Sequence, residues 1–127
     1  MYITRFTTTD GQVEDYFYRN VTDAADHLSL FKTDDSGLYD TIAVLNDATN
    51  TVIAILTFDN GIPGDLFTVG SKVRLRDEYS TPEERKYIYE VSNLNENTGR
   101  AVIVCTNSSM AIASAEMVGL EMISLIK

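Results

Sequence analysis

Residues 51–70 read TVIAILTFDNGIPGDLFTVG, and how they are assigned decides how the rest of the chain divides. Thr51 to Phe58 are β-branched, aliphatic and aromatic, which marks a strand. That strand does not alternate. In regular extended backbone Val52, Ala54, Leu56 and Phe58 share one face, and Ile53 and Ile55 share the other. Both faces are therefore apolar. A single helix covers one face of a sheet, so the second face predicts another partner, either the C-terminal half or a second copy of the chain. The stretch that follows, from Asp59 to Gly70, holds three glycines and one proline and reads as a linker over 61–70.

Upstream of this pair lie two short β-type runs, Tyr2 to Thr8 and Val13 to Arg19, with hairpin chemistry at Thr9-Asp10-Gly11 between them. The spacing of Val21, Ala24, Ala25, Leu28 and Phe31 predicts one amphipathic helix near residues 22–34. Thr22 is its expected N-cap, and Gly37 its stop. A strand from Tyr39 to Leu45 leads through the turn-rich Asn46–Asn50 segment to Thr51. Residues 1–60 thus read as a ββαββ lobe. Downstream, residues 71–127 offer short runs at Ser71 to Asp77, Lys86 to Ser92, Gly99 to Thr106 and Leu120 to Ile126, with AIASAEMVG (111–119) as a helical turn. Several short strands spaced closely by turns predict a small barrel.

The residues of this second half resemble a known kind of module. Gly70, Val73 and Leu75 form a Val-x-Leu strand after a glycine, an acidic helical turn precedes Tyr87-Ile88-Tyr89-Glu90-Val91, and the chain closes on Glu121-Met122-Ile123-Ser124-Leu125-Ile126. Over about the last sixty residues this is similar to SH3-like small barrels of uncharacterised bacterial proteins, often carried on mobile elements of Gram-positive bacteria. The resemblance implies a fold and a mobile-element origin, and no activity. The expected architecture is α+β: an N-terminal ββαββ lobe followed by a C-terminal SH3-like small β-barrel.

Charge bounds the partners. The chain of 127 residues has a net charge of −9. Residues 1–60 carry ten acids against three bases, and residues 61–127 carry nine against seven. Such a balance repels nucleic acid and anionic membranes in general. Half of the ten cations nevertheless fall between Lys72 and Val91, where Lys72, Arg74, Arg76, Arg85 and Lys86 meet an equal number of acids: Asp77, Glu78, Glu83, Glu84 and Glu90. Alternation places Lys72, Arg74 and Arg76 in one row, with acids in cross-strand reach. Thr81-Pro82-Glu83-Glu84 has the form of a capping box. The stretch reads as a charge-balanced hairpin. A nucleic-acid surface, with Tyr87 and Tyr89 as stacking platforms, would need a basic groove that this balance does not supply.

Chemistry is sparse. One cysteine and one histidine cannot assemble the common zinc sets. Cys105 lies in the apolar AVIVCT and reads as a buried thiol. His27 reads as a boundary residue of the helix. Placing Gly37 at the glycine of an EF-hand loop puts Lys32 where an acid is required. No phosphate-binding glycine loop is present. No catalytic, cofactor or metal residue is therefore assigned, and a non-enzyme is expected. The lone cysteine and the N-terminus, which has no basic start or apolar run, predict a cytoplasmic protein. Residues 110–126 contain Glu116 and Glu121 and are too short for a membrane span.

The function expected from these observations is protein interaction, with a protein partner or a homodimer, no nucleic acid and no membrane. Ile53, Ile55, Arg74, Arg76, Tyr87 and Tyr89 are the expected partner-binding residues. The alternative is an acidic mimic of nucleic acid that occupies the groove of a nuclease or restriction-type enzyme.

Overall fold

The computed structural model describes residues 1–95, 99–107 and 115–126, which fall into two units, 1–66 and 67–127. The first opens with a hairpin, β1 (Tyr2–Thr8) and β2 (Val13–Tyr18). Its turn is the one expected. Gly11 N–H donates to Thr8 O at 3.0 Å, and Thr8 N–H donates to Gln12 O at 2.9 Å. Gly11 holds a φ of 87°, a region that side chains disfavour.

Helix α1 (Val21–Ser29) follows and is shorter than expected. Its N-cap is Asn20 in place of Thr22. The Asn20 side-chain oxygen accepts from the Asp23 N–H at 2.9 Å, satisfying one of the helix's orphan donors. Past Ser29 the backbone tightens: Phe31 N–H donates to Leu28 O and Lys32 N–H to Ser29 O, a three-residue spacing that ends the α-helix. Phe31 still reaches the apolar cluster, but from a turn. Next come β3 (Tyr39–Asn46) and β4 (Thr51–Asp59).

Residues 61–70 are not a linker. They contain β5 (Ile62–Thr68), which extends the first sheet to the order β2-β1-β3-β4-β5. The connection from β4 is the two-residue loop Asn60-Gly61, with φ of 52° and 79°. Two successive left-handed residues define the type I′ turn that suits hairpin twist. Pro63 fits because β5 is an edge strand, where a missing N–H costs the ladder nothing. Gly64 fits because a Cβ there would lie 3.1 Å from Thr57 O.

The two-faced strand β4 also differs from its regular reading. Val44 pairs with Ala54 and Leu45 with Val52, so Ile53 is the extra residue of a β-bulge. The bulge exchanges neighbours between faces. Ile53 packs, half-buried, against the helix-side cluster of Phe6, Ala24, Leu28, Ile42, Val44, Ala54, Leu56 and Phe58. Val52 shares the opposite face with Leu45, Ile3, Ala43 and Ile55, all buried, and Ile55 is 0% exposed. Ile3, Leu45, Val52 and Ile55 each contribute about 1.5–3 kcal/mol by burial. On the helix side Thr4, fully buried, donates its hydroxyl to Ala24 O at 2.8 Å and so ties β1 to α1.

The second unit contains β6 (Lys72–Leu75), 3-10 turns at Asp77–Tyr79 and Glu84–Lys86, β7 (Tyr89–Asn95), β8 (Arg100–Cys105) and β9 (Ala115–Gly119). A further 3-10 turn, Leu120–Met122, leads to β10 (Ile123–Leu125). The sheet order is β10-β6-β7-β8-β9. Its buried side carries Val73, Leu75, Val91, Ile103, Val118 and Ile123.

The expected α+β class and closed barrel are both overturned. Strands make up 53% of the described residues and helical turns of every kind 16%, in two antiparallel five-stranded sheets with one α-helix. Closure would require β9 to pair with β10. Instead the three-residue β10 bonds to β6, leaving β9 as the opposite edge. The helical turn expected over 111–119 is strand from Ala115 onward, while 111–114 lie outside the described residues. Among the described residues no helix is long and apolar enough to cross a membrane.

Candidate functional site

Strand β2 is the outermost strand of the first sheet, and its two faces differ. Tyr16 and Tyr18 lie on the helix side. The Tyr16 ring meets Phe6 edge-on at 5.5 Å and His27 at 4.8 Å. Tyr18 Oη lies 2.8 Å from His27 Nδ1, and His27 also packs on Phe6 at 4.9 Å. Burial holds the His27 imidazole below its usual pKa, because the charged form loses water there. This aromatic clamp fixes α1 behind β2.

The other face of β2 is open. Val13 is 58% exposed and Phe17 56%. Asp15, between them, is gripped by Arg5 of β1, whose Nε donates to Oδ1 at 2.7 Å and whose second nitrogen donates to Oδ2 at 3.0 Å. This forked pair keeps the carboxylate oriented while apolar side chains flank it.

Backbone polarity follows from the hairpin. Thr8 and Gln12 are a hydrogen-bonded pair, and antiparallel ladders alternate. Glu14, Tyr16 and Tyr18 therefore bond to β1, whereas the N–H and C=O groups of Val13, Asp15 and Phe17 point away from the sheet. The same alternation accounts for Met1 O accepting from Asp47 N–H on the β3 side. The remaining edges are blunted. β5 contains Pro63 and Gly64, β10 has three residues, and β9 ends in Gly119. Of the four edges, β2 presents the longest run without proline or glycine.

The residues expected from sequence are placed differently. Ile53 and Ile55 belong to the first unit, and Arg74, Arg76, Tyr87 and Tyr89 to the second. Ile55 is buried, and Tyr89 is buried at 5% exposure. The Tyr89 phenol is pushed up to about 12, by burial first and by Glu116 and other neighbours after it. It cannot offer a stacking face. Lys72, Arg74 and Arg76 do alternate with buried Val73 and Leu75. Lys72 pairs with its cross-strand neighbour Glu90 at 2.7 Å, Arg85 with Asp77 at 3.6 Å, and Arg76 Nε donates to Ile123 O at 3.2 Å. Lys86 Nζ lies 5.4 Å from the centre of the half-buried Tyr87 ring. The capping box is present: Glu84 N–H donates to Thr81 Oγ1, and Thr81 N–H donates to the Glu84 carboxylate. Arg74 stays exposed on the outer face.

Cys105 is buried with its thiol 3.6 Å from Asn107 Oδ1. A depression of about 480 Å³ on β7, β8 and β9 is lined by Asn93, Asn95, Arg100, Val102 and Met117, and no carboxylate, histidine or cysteine is among its described lining residues. Among the described residues no three His, Cys, Asp or Glu side chains gather where a metal could sit. Sequence reasoning found β2 as a strand and missed its open face. The available signal was Val13 and Phe17 on the same face as Asp15, in a strand without a breaker.

Comparisons with protein-family models, curated proteins and solved structures return no match.

Proposed function

We propose that this protein is a non-enzymatic interaction module that docks a protein partner as an added strand along β2. One observation carries the reading: an outermost strand with outward-pointing backbone groups exposes Val13 and Phe17 and lacks the proline, glycine or lysine that blunts an edge. An added strand satisfies the backbone groups, and the two apolar side chains supply area and register. Nucleic acid is not the partner on this reading, since Lys72, Arg76 and Arg85 already face Glu90, Asp77 and a backbone carbonyl.

The test is retention from source-cell extract by immobilised wild type, Phe17→Lys and Arg74→Glu. A partner held by wild type and Arg74→Glu but released by Phe17→Lys is the expected result. Retention that survives Phe17→Lys and fails with Arg74→Glu moves the docking surface to β6 and overturns the reading.

A further inference from the structure

We infer that the strand added to β2 is the β2 of a second copy of this chain, running antiparallel, with Phe17 facing Phe17 across a two-fold axis. The inference rests on β2 being the docking strand and names its occupant.

The argument is one of register. Across an antiparallel edge, residues whose backbone groups point outward must face one another. In β2 these are Val13, Asp15 and Phe17, with Arg19 just beyond, in the bend that leads to α1. A two-fold axis leaves four central registers, and centring on Glu14 sets Glu14 against itself and Asp15 against Val13. Centring on Asp15 sets two carboxylates side by side, which is repulsive. Centring on Tyr16 sets Asp15 against Phe17 and Val13 against Arg19, so each charge faces an apolar group. Centring on Phe17 sets Asp15 against Arg19, Tyr16 against Tyr18 and Glu14 against Asn20, with the two Phe17 rings meeting on the axis.

Of these registers, only the last sets no charge against a like charge or an apolar group. Arg19 forms no ion pair among the described residues, so its guanidinium is available. Asp15, although held by Arg5, retains acceptor sites on both oxygens. Asn20 is itself extended, with φ −129° and ψ 156°, but Arg19 and Asn20 lie in the bend between β2 and α1, so the new ladder is centred on Tyr16–Tyr18 and Arg19 meets Asp15 through its long side chain. The pairing also covers Phe17, the large exposed side chain at the centre of the register.

Light scattering over a micromolar to millimolar series should give a mass approaching twice the 14.1 kDa of one chain, and 14.1 kDa at every concentration for Phe17→Lys, with unchanged circular dichroism. Arg19→Glu, which sets acids against each other twice across the axis, should weaken the dimer about tenfold. Phe17→Cys should cross-link to itself under mild oxidation. A hydrogen-bonded pair holds its Cα atoms about 5.5 Å apart, inside the roughly 4.4–6.8 Å that a disulfide spans; Asp15→Cys should not cross-link, and Cys105 is buried. A dimer that Phe17→Lys leaves intact, or that cross-links at Asp15→Cys alone, overturns the inference. A wild type that is monomeric throughout also overturns it, and strand docking on β2 then stands or falls by the extract experiment.

Discussion

Both edges of the first sheet are made by tight hairpins, yet they end in opposite chemistry. β5 enters from the Asn60-Gly61 turn and at once meets Pro63 and Gly64, one without an N–H and the other without a side chain. β2 enters from the Asp10-Gly11 turn and runs six residues without either. One sheet thus has a closed end and an open end. The contrast teaches that an edge is a choice of residues. Proline, glycine and short length blunt the other edges, and β2 has none of the three.

The turns themselves allow the largest test of the contrast. Gly61→Ala places a Cβ 2.6 Å from the Gly37 Cα, at a φ of 79°. Both strain and a backbone clash follow, and stability should fall by about 3 kcal/mol. Gly11→Ala meets nothing within 4 Å and carries only the cost of its φ of 87°, about 1 kcal/mol. Urea midpoints at constant slope measure both. Equal losses would mean that the β4–β5 turn is no more crowded than the β1–β2 turn.

A smaller effect should come from pH, and only at the β2 end. Burial lowers the His27 pKa below its usual value of 6.5. Between the folded and unfolded values the unfolded chain binds more protons, so stability rises with pH in that window. The contribution is complete above about 6.5 and is lost as pH falls below it. Melting temperature should therefore drop on going from about pH 7.5 to pH 6, and His27→Gln should flatten that slope. An unchanged slope would remove His27 from the clamp behind β2.

The same contrast explains what the residues disclosed and what they hid. The Thr9-Asp10-Gly11 turn, the strand from Tyr2 to Thr8 and the α1 stripe are local, and local chemistry determines them. Asn60-Gly61 is an equally local hairpin signal, but Pro63 and Gly64 beside it suggested a linker. Those two residues suit an edge, and whether a strand lies at an edge depends on the whole sheet order. The bulge at Ile53 was hidden for a related reason, because it arises from the register of β4 on β3. Barrel closure turned on whether β9 and β10 pair, a long-range matter. β2 was legible as a strand with one face of Val13, Asp15 and Phe17. Its openness was not, since only the sheet order shows that the groups on the Phe17 side of the strand have no neighbour among the described residues.

That last distinction supplies the most direct measurement, amide hydrogen exchange along β2 at two protein concentrations. Glu14, Tyr16 and Tyr18 bond to β1 and should be protected at both. Asp15 and Phe17 point outward and should exchange freely when dilute, then slow as concentration rises and a second β2 covers them. Alternating, concentration-dependent protection is the predicted result. Free exchange of Asp15 and Phe17 at every concentration, or protection that does not alternate, would contradict it.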